Sequence, residues 1–373
     1  MEDAVIENKE IPESKPKKRM PEQDIAKGFA ILLVTMMHIL VVEKMAFAIA
    51  GGLFGFIMSL FFFLSGYNYK PGRTYKENII KRVKQVLIPF LIYMGIIVVA
   101  FTLYYTLSGQ YTFAEAMQSY ARSFLGIGFS NQIGLVAPSL DIYRSTMVCW
   151  FIIMLFMASL IFYAVVDIAL KDAKRFISIN AGLVVITMIF GFFNFSLPLY
   201  ISDAPLIASI MLFGALFKKH DLFHLKSPWW TVINSVVAYG IYILMALNFK
   251  GAGYIMGGRL IRDYGAPEAL ITLLYSVIGT YAFLNFCKLI AKVKPLNFAF
   301  TWLGTNSVYI LLLHQPVQLI VKEIMGYHPT ASISTAEQTE WMSFAVWGIT
   351  LAALIVYIIL ITFLKKKLKA KKA

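Results

Sequence analysis

His38 is an imidazole inside an apolar run, GFAILLVTMMHILVV (Gly28–Val42). Carrying an ionisable side chain towards the bilayer centre costs a helix about 2.5–3.5 kcal/mol on insertion scales, so such groups mark sites or pathways. Lys27 stands eleven positions before His38 and Asp24 fourteen. At 3.6 residues per turn these intervals are close to three and four whole turns. All three residues therefore fall on overlapping faces of one helix, with Lys27 about 16 Å from His38. With an unperturbed pKa of about 6.5, imidazole takes and returns a proton near neutrality, which suits a general base in a protein-lined cavity. The competing reading makes His38 a helix–helix hydrogen-bonding residue and Asp24–Lys27 an interfacial pair.

A second polar stripe follows LGTNS (Leu303–Ser307). Ser307, His314, Gln318 and Lys322 are spaced by seven, four and four on an otherwise apolar helix. Such a stripe must face other helices or water rather than lipid. A bundle seam accounts for Gln318 and Lys322, but less well for a second mid-membrane histidine. The segment KPGRTYKENIIKRVKQ (Lys70–Gln85) carries six cations against Glu77 alone. It reads as an inside loop that either touches anionic headgroups or docks a phosphorylated donor, with Arg82 able to fork onto phosphate. LFFFLSGY (Leu60–Tyr67) offers Ser65-Gly66 for close helix approach or for lining a substrate path. His220 and His224 have i,i+4 spacing but no evident third ligand, so no metal site is expected there.

The elements that must position these residues are membrane spans. Of 373 residues, 59% are hydrophobic and 14% charged, with a mean hydropathy of +0.71, far from a soluble composition. Ten apolar runs are expected as transmembrane helices: 25–43, 53–69, 86–107, 147–167, 176–193, 204–217, 230–247, 268–287, 302–321 and 342–364. The sixth is short for a span. The net charge of +14 does not indicate nucleic acid, because the cations cluster between the apolar runs. With a cytoplasmic N-terminus, inside segments hold 27 Lys and Arg and outside segments hold 7. That split follows the positive-inside rule and places both termini in the cytoplasm. Residues 1–23, with no apparent cleavable signal, are expected as a disordered cytoplasmic tail, 24–364 as one transmembrane domain, and 365–373 as a basic tail. The outside loop 108–146 has the composition for a re-entrant or interfacial helix, and 248–267 is rich in glycine. Cys149 and Cys287 form neither a metal motif nor a disulfide framework.

Taken together, these motifs resemble the membrane-bound acyltransferase family 3, in its exopolysaccharide- and capsule-modifying branch. QDIAKGFAILLVTMMH (Gln23–His38) matches the family's first-span pattern of acid, basic residue-Gly and distant His. FFFLSGY (Phe61–Tyr67), KRVKQVLIP (Lys81–Pro89), Trp150-Phe151 and LGTNSVYILLLHQP (Leu303–Pro316) match four later signatures in order. FSLPLYISDAPLIASIMLFGALFKK (Phe195–Lys219) resembles the polysaccharide branch. Many members have an Arg-x-x-Arg entering the third span. Here Gln85 stands at the second arginine, and Lys27 replaces the first-span arginine of many members.

The resemblance implies an all-α polytopic O-acyltransferase of a bacterial-type cytoplasmic membrane. It would move an acyl group, acetyl by expectation, from acyl-CoA to a hydroxyl of a surface polysaccharide or its lipid-linked precursor. His38, His314 and Ser65 are the expected catalytic residues. His38 would act as base or carry the acyl group transiently. Lys27, Arg73, Lys81, Arg82 and Lys84 are expected to hold acetyl-CoA, and no metal is implied. Asn306, Ser307, Tyr309, Trp150, Arg259 and Arg262 are candidates for the acceptor side or for the oxyanion. The rival class is a proton-coupled transporter or glycan exporter, which intramembrane His and Lys would also suit.

Overall fold

The computed structural model describes residues 20–38, 53–118, 150–193, 197–223, 227–248, 268–326 and 336–370. The expected Arg259 and Arg262, Cys149, His224, residues 249–267 of the loop 248–267 and residues 119–146 of the loop 108–146 lie outside the described residues, as do 1–19 and 371–373 of the tails. Twelve helices carry the described chain: α1 (Pro21–Met37), α2 (Ile57–Tyr67), α3 (Tyr75–Arg82), α4 (Ile88–Leu107), α5 (Trp150–Ala169), α6 (Ala173–Phe192), α7 (Ala204–Lys219), α8 (Pro228–Asn248), α9 (Glu268–Ile290), α10 (Lys294–Thr305), α11 (Ser307–Ile324) and α12 (Ala336–Ala370).

The described part of each of the ten expected apolar runs lies mostly on one of these helices, or on two in the case of the ninth; 39–43 of the first run and 147–149 of the fourth lie outside the described residues. Seven helical stretches are long and apolar enough to cross a membrane, and α10 with α11 makes an eighth if that pair is one span. At 17 and 11 residues, α1 and α2 are shorter; both border 39–52, outside the described residues. Large apolar side chains such as Ile92, Ile96, Val99 and Leu103 of α4 and Ile359, Leu360 and Phe363 of α12 are exposed, which suits lipid and not water. This is an all-α, multi-pass membrane protein.

Two expectations about elements need correcting. The cationic segment Lys70–Gln85 is mostly helix, not loop. Thr74 accepts a hydrogen bond from the Glu77 amide, and the Glu77 side chain returns to the Thr74 amide. That reciprocal capping box starts α3. α3 then runs through a π-helical turn, Val83–Leu87, into α4 as one 33-residue rod. The ninth run is not one straight helix, because α10 and α11 meet at Asn306 with a 74° bend. LGTNS is therefore the break itself, and its Asn306 amide donates to the Trp302 carbonyl to close the end of α10.

The short sixth run is the centre of the bundle. α7 packs against α2, α5, α6 and α9, and burial along almost all of it explains how a short helix suffices. Before it, Leu199 and Tyr200 hold φ of 58° and 59°, left-handed values that cost a non-glycine residue about 1–2 kcal/mol each.

Two glycine pairs set the close helix crossings. A Cβ on Gly28 would lie 2.1 Å from the Phe300 carbonyl oxygen, and one on Gly304 would lie 1.8 Å from that of Asp24. A Cβ on Gly66 would lie 1.8 Å from the Met211 carbonyl oxygen, and one on Gly214 would lie 2.0 Å from that of Phe63. α1 thus rests on α10 and α2 on α7 at backbone contact, the close approach that small residues permit in membranes. Gly304→Ala and Gly66→Ala should each cost at least about 1–3 kcal/mol by overpacking. A clear drop in the thermal midpoint of detergent-solubilised protein is expected for both. Gly95→Ala is the control, because nothing lies within 4 Å of its added methyl, and its midpoint should not fall.

Candidate active site

The glycine crossings fix two functional side chains. Lys27 precedes Gly28 on α1 and Ser65 precedes Gly66 on α2, and both face a cavity of about 370 Å³. Among the described residues five cations line it, Lys27, Lys70, Arg73, Lys81 and Arg82, and no carboxylate does. Away from them the wall turns apolar, with Ile31, Phe61, Phe90, Phe151, Leu311 and Leu312. The cavity is cationic at its mouth and hydrocarbon at its floor.

Arg82 is held in the mouth by specific bonds. One guanidinium nitrogen donates to Ser65 Oγ at 2.5 Å and to the Tyr163 hydroxyl at 3.2 Å. Its Nε is buried with no hydrogen-bond partner among the described residues. A buried donor in that state favours an anionic partner. Lys27 pairs with Asp24 at 2.8 Å, and Asp24 is 2% exposed. The mouth is braced by Tyr69, whose hydroxyl donates to Asp167 Oδ1 at 2.6 Å, and by Lys218, which donates to the Tyr69 carbonyl. Burial and the Asp167 carboxylate hold the Tyr69 phenol well above its ordinary range, so it remains a neutral donor.

The two mid-membrane histidines meet. Their ring centroids are 5.3 Å apart with a 39° tilt. His314 is 1% exposed, and its Nδ1 lies 3.0 Å from the Ile310 carbonyl and 2.8 Å from that of Leu311. Only an N–H can sit beside two carbonyl oxygens, so Nδ1 carries the proton and Nε2 the lone pair. That Nε2 is buried without a hydrogen bond among the described residues. Gln318 donates to the His38 carbonyl at 3.2 Å, and the Trp347 indole donates to Thr35 at 3.1 Å. α11 and α12 thereby hold the end of α1 that carries His38.

Neither imidazole lines the cavity. Its wall ends on α1 at Ile31 and on α11 at Leu312. Along α11 that is within one turn of His314; along α1 it is about 10.5 Å short of His38. Lys27, Ile31 and His38 lie on one helical stripe, so the floor points at the histidine pair without reaching it. Pro316, inside α11, withholds the N–H that the Leu312 carbonyl at the floor would otherwise receive.

Placement of the other sequence-selected residues is mixed. Arg73, Lys81 and Ser307 line the cavity, whereas Lys84 is exposed on the π-turn outside its wall. Ser65 is brought to Arg82 and Lys27, not to the imidazoles. Tyr309 accepts a hydrogen bond from Lys365 at 2.7 Å and meets Tyr93, while Asn306 closes α10; neither lines the cavity. Trp150 is half-buried against Phe151 and Tyr200. Tyr69, Tyr163, Asn78 and Gln85 line the cavity and were not among the residues selected from sequence. Gln85 was noted there only as a departure from an arginine.

The model of acyltransferase family 3, described as an acyltransferase domain, matches residues 21–363. No curated protein and no solved structure matches the chain. The matched stretch takes in both histidines, the cationic cavity and each glycine crossing. The chain belongs to the membrane-bound acyltransferase family 3.

Proposed function

We propose that this membrane acyltransferase takes an acetyl group from acyl-CoA and esterifies a hydroxyl of a surface polysaccharide or its lipid-linked precursor. The observation that carries the reading is the cavity itself, with five cations at one end, apolar walls at the other and paired imidazoles beyond the floor. Coenzyme A has a matching polarity: phosphates at one end and a thin thioester-bearing arm at the other. Lys27, Arg73, Lys81 and Arg82 hold the phosphates, with Arg82 supplying the forked donors. Ser65, bonded to Arg82, belongs to this donor-binding end.

The thioester carbon passes Ile31 and Leu312 to reach His38, and the acceptor hydroxyl arrives from the opposite end of the bundle. His38 removes the hydroxyl proton as the oxygen attacks the thioester carbon. When the C–S bond breaks, His38 returns that proton to the departing sulfur, so ester and free thiol are the products. His314, with its proton fixed on Nδ1, offers His38 only a lone pair. The two rings are in contact, 5.3 Å between centroids, with no hydrogen bond between them, so His314 positions the His38 ring by packing.

The test is radiolabelled acetyl-CoA supplied to purified protein in vesicles together with de-acetylated surface polysaccharide. Alkali-labile label in the polysaccharide, with one free thiol released per ester, is expected. Movement of polysaccharide across the vesicle membrane with no label would replace the enzyme by a carrier.

A further inference from the structure

Asp203 is a buried acidic residue that the mechanism leaves unused. It is 9% exposed, sits just before α7, makes no side-chain capping bond there, and has no hydrogen-bonding or ionic side-chain partner among the described residues. Its position is opposite to the basic mouth. α7 runs from Asp203 to Lys218, which holds Tyr69 at that mouth, a separation of about 22 Å along the helix. α5 likewise runs from Trp150 to Asp167, about 25 Å. Asp203 and Trp150 therefore share the end of the bundle towards which α1 carries His38.

The backbone here is built, not incidental. Leu199 and Tyr200 are held left-handed by Ser202 Oγ, which accepts from the Leu197 amide at 2.7 Å, and by the Asp203 amide donating to the Tyr200 carbonyl at 3.1 Å. That turn lays the Tyr200 ring against Trp150, centroids 6.3 Å apart. Trp150 in turn meets Phe151 edge-on, and Phe151 is part of the donor cavity's apolar wall. The Trp150–Tyr200 pair, tied through the Tyr200 carbonyl to the Asp203 amide, joins this end of the bundle to the cavity through Phe151.

We infer that Trp150, Tyr200 and Asp203 form the acceptor subsite, which takes a neutral, polyhydroxylated sugar. The chemistry selects that class. A carboxylate accepts hydrogen bonds from two hydroxyls, the half-buried Trp150 ring covers the C–H face of a pyranose with the buried Tyr200 ring behind it, and none of the three residues is a cation that would draw an anionic group. The inference rests on the proposed glycan acceptor, and its test does not require transfer.

The experiment is equilibrium binding of tritium-labelled, de-acetylated surface polysaccharide to the full chain in phospholipid nanodiscs without donor. Asp203→Asn and Trp150→Ala should each weaken binding at least ten-fold, with coenzyme A affinity and thermal midpoint within error of wild type. Polysaccharide binding unchanged in Asp203→Asn, or lost in parallel with coenzyme A binding and thermal stability, overturns the subsite. So does wild-type protein that fails to bind polysaccharide at all. Wild type that binds polysaccharide, with Asp203→Asn weakened, but does not acetylate it keeps the subsite and defeats the donor assignment instead.

Discussion

His38→Gln should lower the rate of acetyl transfer by about 10²–10⁴-fold, the usual contribution of a positioned general base, with coenzyme A affinity changed less than two-fold. Glutamine keeps hydrogen-bonding capacity at the end of α1, and the main-chain bond from Gln318 to the His38 carbonyl does not depend on the side chain. Folding is therefore expected to survive, which a wild-type-like gel-filtration profile and thermal midpoint would verify. The split between rate and affinity is the informative part. His38 lies about 10.5 Å along α1 beyond the last cavity-lining residue of that helix, so losing its ring should leave the donor's phosphate end untouched. A parallel loss of coenzyme A binding would place His38 in donor recognition and remove it from proton transfer.

Arg82→Ala should act on the other quantity, raising the donor KM by at least about ten-fold, because a charge-assisted hydrogen bond contributes about 1.5–3 kcal/mol. The substitution also strips Ser65 Oγ and the Tyr163 hydroxyl of their common donor. Arg82→Lys separates charge from geometry. Lysine restores the cation but lacks the planar fork that reaches two oxygens while presenting Nε to a ligand. It should recover only part of the affinity, and its donor KM should rise more steeply with ionic strength than that of the native enzyme. Steady-state kinetics over a salt series measures both. Full recovery by lysine would reduce Arg82 to a surface charge.

Much of this arrangement was legible in one dimension, for reasons that differ by residue. Lys27 and His38 share a helix, so their interval alone predicts their common stripe. His314 and Gln318 were readable for the same reason. The meeting of His314 with His38 was implied by the resemblance, which made both catalytic, and not by spacing, because it depends on how α11 lies against α1. The segment after Lys70 misled because its charge density resembles a loop, although Thr74 and Glu77 stand at the spacing of a capping box. LGTNS held small and turn-forming residues, yet the continuous hydrophobicity around it read as one span. The reciprocal contacts of Gly28 with α10 and of Gly66 with α7 join residues far apart in the chain, where no local pattern carries the information. Asp203 was overlooked because the sixth run was begun one residue after it, which placed a buried acid in an apparent loop. An isolated carboxylate bordering so apolar a segment was itself a signal.

The π-helical turn at Val83–Leu87 makes chain length a functional variable in this stretch. A π-turn accommodates one more residue than the α-helix it interrupts, and each residue advances a helix by about 100°. Removing a single residue there would leave the hydrophobic rod intact by every compositional measure. It would nonetheless twist the arm bearing Lys81 and Arg82 by more than a quarter turn relative to α4. Homologous chains that differ here by one insertion or deletion should accordingly diverge in which donor they accept, even where every motif residue is retained.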